Sequence, residues 1–442
     1  MPTPIARFTE GSIARHVLAM ASTSALSLLA VFMVDILTLV YVSRLGDQRL
    51  LAAVGLAKTL MFLNGAFAAG VVIAGGALLS ERIGKHGGRR LARLVTHLLL
   101  MVLAVAASVA ALEWLAMAPL ARWLGADPGA YASARGFVCM TLAASVPVAL
   151  AQMSAQLLKA QGHVRLALWV LLSGALTLAV ADPLLILGLG MGLQGAGWSC
   201  ALAALVSMLV GLYWLKRHLG LALRLNARLL CLHIGRTARL AVPAILGNLA
   251  MPVGISYLMI TLAGLGASAL AGMAVVDRVL QLGYCVYFAL PTALVPVLAQ
   301  NLGAGRHDRV RQAIAFTARG VVLYGVAFWL LVLLAGPLVA DYFHLQGNGR
   351  DIFLTVTRLG MGLWVLFGLD FVAQSLFLTL GRAWWVPTFG WLRGTLGTLP
   401  WVYAGAHGHG ASGAVLGMWL GNAVVALLAI ITAWRLLRRA NQ

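Results

Sequence analysis

Twelve times along this chain of 442 residues an apolar run long enough to cross a bilayer recurs: roughly 17–42, 50–79, 91–118, 131–158, 166–190, 193–216, 236–264, 268–300, 310–340, 353–380, 384–405 and 411–436. A bilayer core is about 30 Å thick, and roughly 20 helical residues span it. Backbone N–H and C=O groups find no water there, so the chain must satisfy them itself, as helices or as closed barrels. These runs are too long and too continuously apolar for barrel strands, in which inward and outward residues alternate. The expected fold is all-α and integral to the membrane, with twelve transmembrane helices. Several runs exceed the spanning length, which predicts tilt, kinks or protrusion. Pro183, Pro243, Pro291 and Pro296 lie inside runs, where they are tolerated as bends if neighbours satisfy the freed backbone.

Composition agrees. The chain is 62% hydrophobic and 10% charged, against about 25% charged in a soluble domain. The net charge of +20 does not point to nucleic acid, because the basic residues fall in short loops between apolar runs. With the N-terminus placed in the cytoplasm, 23 of the 32 Lys and Arg residues fall on the cytoplasmic side, six outside (Arg44, Arg49, Arg122, Arg135, Arg350, Arg358) and three within helices (Lys58, Arg278, Arg393). That asymmetry puts both termini in the cytoplasm. The four cysteines, Cys139, Cys200, Cys231 and Cys285, are scattered singly, which indicates neither a zinc site nor a disulfide framework. The first apolar run is too long for a signal-peptide core and is expected to be retained.

The longest polar connection, 216–236, reads as a short amphipathic cytoplasmic segment and divides the chain almost in half. The halves are similar. Arg44-Leu45-Gly46 through Ala57-Lys58 aligns with Gly264-Leu265-Gly266 through Asp277-Arg278 at a shift of 220. Glu81-Arg82-Ile83-Gly84 aligns with Gln300-Asn301-Leu302-Gly303, and Leu157 and Gly162 with Leu376 and Gly381, at 219. Six helices per half is an even number, so both halves enter from one side. The expected arrangement is an N-lobe (1–216), a linker (217–235) and a C-lobe (236–442), two six-helix lobes related by a parallel pseudo-twofold repeat. Transporters built from such repeats hold substrate between or within the halves.

Twelve carboxylates occur in all. Most fall in loops or at helix ends, and Glu113 is placed near the end of the third helix. Four lie deep in apolar runs: Asp35, Asp182, Asp277 and Asp370. Charge at membrane depth is costly, so it normally faces a partner or a wet cavity and marks function. Asp35 and Asp182 sit seven and eight residues from the outer ends of their runs, about 10–12 Å below the surface at 1.5 Å per residue. Low dielectric penalises the charged form of a carboxylate, and such a group can exchange a proton; ionised, it is a hard oxygen ligand for Na⁺. These two are the ion-coupling candidates. The structural alternative for Asp182 is a carboxylate answering the backbone freed near Pro183.

Asp277 stands beside Arg278, and Lys58 is the repeat equivalent of Arg278. These cations are expected to neutralise carboxylates, and an ion pair is expected at Asp277. Adjacent helical residues diverge, so its partner need not be Arg278. Asp370 has no cation close in sequence and is followed one turn on by Gln374, which suggests a polar face. Asp370, Asp277 and Gln374 are the candidates for a second ion or substrate site, in the C-lobe.

Trp364, Trp384, Trp385, Trp391 and Trp401 crowd the last third. The interface belt is the expected place for such residues; a cavity that takes an organic cation by cation–π contact is the alternative. His407 and His409, in His-Gly-His-Gly, read as an outer loop, with too few further ligands for a metal. There is no nucleotide P-loop, no HExxH and no GxSxG, and the dispersed carboxylates argue against an intramembrane enzyme. Without an ATP site, uphill transport draws on an ion gradient.

Several segments together resemble the multidrug and toxic compound extrusion (MATE) transporters over nearly the whole chain. They are Val34-Asp35 with Val42-Ser43-Arg44-Leu45-Gly46 and Leu51-Ala52-Ala53-Val54-Gly55; Leu158-Lys159-Ala160-Gln161-Gly162-His163; Asp182-Pro183-Leu184-Leu185-Ile186-Leu187-Gly188 with Gly195-Ala196-Gly197; and Gln300-Asn301-Leu302-Gly303-Ala304-Gly305-Arg306. The resemblance implies twelve helices in two lobes and antiport of organic cations against H⁺ or Na⁺. It implies an N-lobe ion site at Asp35 and Asp182, and it matches Asp370 to a C-lobe acid that some members use. The chain departs from the family in three places. The seventh helix, from Leu240 to Gly264, has no carboxylate; Leu178 stands where an Asn is frequent; and Leu18-Ala19-Met20-Ala21-Ser22 lacks the early proline of the first helix, although Pro243 keeps its equivalent in the seventh.

The expected function is secondary active efflux of organic, cationic, amphipathic compounds from the cell across the inner (plasma) membrane. The coupling ion is H⁺ ahead of Na⁺, because Leu178 leaves fewer oxygen ligands. A flippase or exporter of a lipid-linked or other amphipathic solute is the alternative. The expected partners are small organic cations and the bilayer, with no cofactor and no nucleic acid, for a protein acting as a monomer.

Overall fold

The structure, a computed structural model, describes residues 6–43, 48–86, 91–123, 128–222 and 226–439; side chains are described at all of these except 35, 39, 42–43, 48–58, 120–123 and 128–134. The expected all-helical membrane fold is present: no strand occurs among the described residues. The helices are α1 (Ile13–Ser43), α2 (Gln48–His86), α3 (Ala92–Trp123), α4 (Pro128–Ala160), α5 (Val164–Asp182), α6 (Gly192–His218), α7 (Ala227–Gly264), α8 (Ala267–Gly283), α9 (Cys285–Gly303), α10 (His307–Tyr342), α11 (Gly347–Thr355), α12 (Met361–Thr379), α13 (Trp385–Gly394) and α14 (Leu399–Arg439).

Eleven helical stretches of the described residues are long and apolar enough to cross a membrane. The last of them, Trp385–Arg439, carries two of the twelve runs. α14 is broken inside it, where His409 (φ −138°, ψ 21°) and Gly410 (φ 62°, ψ −142°) leave helical geometry. The His-Gly-His-Gly segment is therefore the turn expected there, joining two helices that fold back on each other: a Cβ on Gly413 would run into Gly405 O, and one on Gly421 into Gly397 O. Gly410 tolerates the positive φ the turn needs. α7 starts at Ala227, so residues 227–235 are helical.

The chain forms two compact units. The first comprises Met1–Glu10 and Leu26–Ile245, the second Gly11–Ala25 and Leu246–Gln442. In the first unit α4 packs against α2, α3, α5 and α6. Its core includes Leu79, Ile83, Leu98, Met153, Leu157 and Leu158, all fully buried. In lipid, helices associate through close packing and small residues. Gly195 of α6 is one: a Cβ there would lie 2.7 Å from the Leu185 carbonyl oxygen. That approach seats the segment after α5. α5 ends at Asp182 because Pro183 has no N–H to continue it, and a π-helix, Pro183–Gly188, follows. Its wide turn is closed by Leu189 N–H donating to Leu184 O at 2.8 Å.

In the second unit α12 is central, packing on α9, α10 and α14. Tyr284, Tyr287 and Trp419 are buried against it, as is its own Phe377. A second π-helix, Val356–Gly360, leads into α12. Residues 246–264 of α7 lie close to α13 because Gly394 has no side chain; a Cβ there would sit 2.7 Å from Ala250 O.

Candidate ion and substrate sites

The first polar site is in the first unit. Asp182 closes α5 and is fully buried. The Thr38 hydroxyl of α1 donates to its Oδ2. The same hydroxyl lies 3.1 Å from Val34 O, one turn back in its own helix. A hydroxyl has one proton to give. With Asp182 ionised, that proton serves the carboxylate. With Asp182 protonated, the acid donates to Thr38, and Thr38 turns to Val34 O. The geometry allows a hydrogen bond in either state, with its direction reversed. Asp35 belongs to α1, and its side chain lies outside the described residues. Position 35 precedes Thr38 by three residues and so falls on the same stripe of the helix. The hydroxyls of α5 bond their own backbone: Ser173 donates to Val170 O at 2.9 Å and Thr177 to Ser173 O at 2.8 Å. Leu178 is half-buried and adds no oxygen.

Glu113 corrects the sequence reading that set it near a helix end. α3 runs on to Trp123, and Glu113 is 3% exposed. Asn64 of α2 donates to its Oε2 at 3.4 Å and to Ala106 O at 3.2 Å. The apolar run stops about one turn after Glu113, which is why hydropathy alone placed it at the edge.

The second unit holds a cavity of about 300 Å³, walled by α7, α8, α9, α12, α13 and α14. Phe288, Trp364, Phe367 and Phe371 form an aromatic side, and Asn248, Asp277, Gln281, Gln374, Arg393, Thr398 and Asn422 supply the polar groups. Trp364 stacks on Phe367 with ring centroids 5.1 Å apart and on Tyr284 at 5.2 Å. Trp364 is therefore part of an interior aromatic wall and not of an interface belt. Trp384, Trp385, Trp391 and Trp401 are exposed, as a belt requires.

Asp370 is fully buried. Gln374 donates to its Oδ2 at 2.6 Å, and Arg393 of α13 forms an ion pair with the same oxygen. The polar face expected at Asp370 and Gln374 is present, and its cation comes from 23 residues further on. The ion pair expected at Asp277 is absent among the described residues. Arg278 is exposed and donates to Gln281 at 3.0 Å, while Asp277 opens onto the cavity. The two neighbours point apart, as adjacent helical positions do. Lys58 lies outside the described side chains. Among the described residues no group of three His, Cys, Asp or Glu side chains could hold a metal.

A chain of spanning helices that buries carboxylates in one unit and an aromatic, polar-tipped cavity in the other has the build of a secondary transporter rather than an enzyme. The chain belongs to the MatE family, whose model matches residues 24–184 and 243–384. It is 39% identical over 254 residues to an uncharacterised 21 kDa protein of Pseudomonas savastanoi named for the iaaL 5′ region, covering 55% of this chain and 80% of that one. It is 25% identical over 339 residues to a FAD transporter of Shewanella oneidensis, covering 74% of each. A crystal structure of the Vibrio cholerae MATE transporter VcmN matches with a TM-score of 0.90 at 20% identity, over 97% of both chains. That likeness establishes the fold.

Proposed function

We propose that this protein is a cation-coupled efflux antiporter for amphipathic aromatic compounds, with H⁺ as the coupling ion ahead of Na⁺. The observation that carries the reading is the second unit's cavity, where an aromatic wall meets a carboxylate, Asp277, held by no ion pair among the described residues. A flat organic cation gains ring contacts and a counter-charge in such a place. The ion site is assigned to Asp182 with Thr38 and, on the same stripe of α1, to Asp35. A bond available in both protonation states by reversing direction suits a proton. Na⁺ needs several oxygen ligands, and α5 directs its hydroxyls to its own backbone.

On this reading the transport halves are 1–216 and 236–442, joined by 217–235. The protein acts as a monomer in the inner membrane with both termini in the cytoplasm, the orientation favoured by its 23 cytoplasmic Lys and Arg residues. A second reading, export of a flavin-type aromatic anion, draws on the likeness to the FAD transporter and on Arg393 in the cavity wall.

The test uses the purified protein in liposomes, with a pH gradient and a sodium gradient applied separately and ethidium as cargo. Ethidium moving against its gradient under the pH gradient alone is the expected result. Movement under sodium alone would replace the ion assigned here. No movement under either would turn the reading toward a flippase or lipid-solute exporter.

A further inference from the structure

The ion pair between Arg393 and Asp370 uses little of what an arginine offers. A guanidinium carries a rigid fork of N–H donors that matches the two oxygens of a carboxylate side-on. Here Asp370 Oδ2 takes both the Arg393 Nη2 and the Gln374 donor. Asp370 Oδ1 and Arg393 Nε are both buried and have no hydrogen-bond partner among the described residues. The pair is end-on and single. A third buried group on the same wall is also unsatisfied, the indole Nε1 of Trp364. Buried donors are almost always satisfied in native proteins, so each exception asks for an explanation. Both of these N–H donors belong to residues lining the cavity. They flank one ring: Trp364 stacks on Phe367, and the Arg393 guanidinium lies over the same ring with its carbon 5.6 Å from the centroid. Two idle donors beside an aromatic surface call for a ligand with a flat ring and acceptor oxygens.

We infer that Arg393 is the specificity-determining residue for a carboxylate on an aromatic substrate, which takes the guanidinium fork in place of Asp370. The inference rests on the efflux reading and refines its substrate class: the cargo carries an acid group as well as a ring, and any cationic group it bears is left for Asp277. Asp370 acts as the protein's own stand-in for that acid. It holds Arg393 by one bond when the cavity has no acid in it. It keeps the Gln374 bond, which comes from its own helix, when Arg393 is taken. Arg393 keeps a carboxylate partner throughout the exchange, but the buried Asp370 gives up its cation, a cost the substrate's acid must outweigh and one that Asp370→Asn removes. Uncompensated buried charge is what makes breaking such a pair costly.

The test is a binding measurement on the purified full-length protein in nanodiscs, with 2-naphthoate, its neutral amide 2-naphthamide, and ethidium as probes. The acid is expected to bind at least about tenfold tighter than the amide, the scale of one charge-assisted contact. Arg393→Gln should erase that preference. Asp370→Asn, which keeps the Gln374 contact but removes the competing charge, should tighten the acid several-fold. Because Arg393→Gln alone leaves Asp370 buried without its cation, the double variant Arg393→Gln/Asp370→Asn is measured beside it. It removes both charges and should fold, melt near the wild-type temperature and bind acid and amide alike. Equal affinity for acid and amide in the wild type, a preference that survives in the double variant, or an acid weakened by Asp370→Asn would each overturn the inference. Ethidium export in liposomes is read in parallel. Export with no acid preference removes this inference alone, whereas loss of export with an intact acid preference removes the efflux reading alone.

Discussion

Thr38 and Asp182, 144 residues apart in sequence, share a hydrogen bond inside the first unit, and the Thr38 hydroxyl has a second acceptor, Val34 O, 3.1 Å away. Removing the hydroxyl while keeping its shape leaves a fully buried carboxylate short of a donor. A hydrogen bond to a charged group contributes about 1.5–3 kcal/mol, so Thr38→Val should slow gradient-driven efflux by tenfold or more. Thr38→Ser keeps the hydroxyl and should retain most of the rate. Asp182→Asn keeps a side chain of the same shape but loses the proton exchange, and should abolish the gradient-driven component. Initial export rates in liposomes check all three, and an unimpaired Thr38→Val would remove Thr38 from the coupling path.

Asp277 makes a separate prediction, because its charge is directed at the cargo and not at the coupling ion. Asp277→Asn should raise the concentration of ethidium giving half-maximal export by roughly tenfold, the value of one charge-assisted contact. A neutral aromatic probe of similar size should be unaffected. If both probes weaken together, the residue shapes the cavity and reads no charge.

Much of this is legible in the sequence. The helices follow from the length of the apolar runs, and the importance of Asp182 and Asp370 from the cost of charge at membrane depth. Contacts across helices were beyond reach. Thr38 carried no signal, since a hydroxyl in an apolar helix ordinarily bonds its own backbone, as Thr177 and Ser173 do. Arg393 pairs with an acid 23 residues earlier, a separation no helical period relates. The cation next to Asp277 predicts an ion pair, yet direction outranks adjacency on a helix, and Arg278 points elsewhere. Trp364 counted with the belt because composition records how many tryptophans occur and not which way they face. Hydropathy misplaced Glu113 because it reads where apolar residues stop, and the helix continues past that point.

The π-helix after α5 depends on Gly195. A Cβ would stand 2.7 Å from the Leu185 carbonyl oxygen, and backbone cannot yield as a flexible side chain can. Gly195→Ala should cost about 1–3 kcal/mol, as overpacking does, and Gly195→Val more. Because the displaced segment follows Asp182 directly, efflux should fall further than the loss of folded protein explains. Thermal melts of the detergent-solubilised protein beside export rates normalised to folded protein separate the two effects.

His163 gives the protein a pH-dependent stability outside the membrane-spanning helices. It sits in the turn between α4 and α5, its ring centroid 4.3 Å from that of His218. Burial pushes its pKa down to about 4, helped by the positive Arg7 and by His218. Its ordinary value is 6.5. Between those limits the unfolded chain binds a proton at this site and the folded chain does not, so folding loses stability as pH falls through that window. Above about 6.5 both states are neutral and below about 4 both are charged, so the effect is flat at either end. The melting temperature of the solubilised protein should therefore drop between pH 7 and pH 4.5. His163→Asn, which cannot charge, should flatten that drop relative to the wild type. An identical slope in the two proteins would assign the pH dependence to other groups.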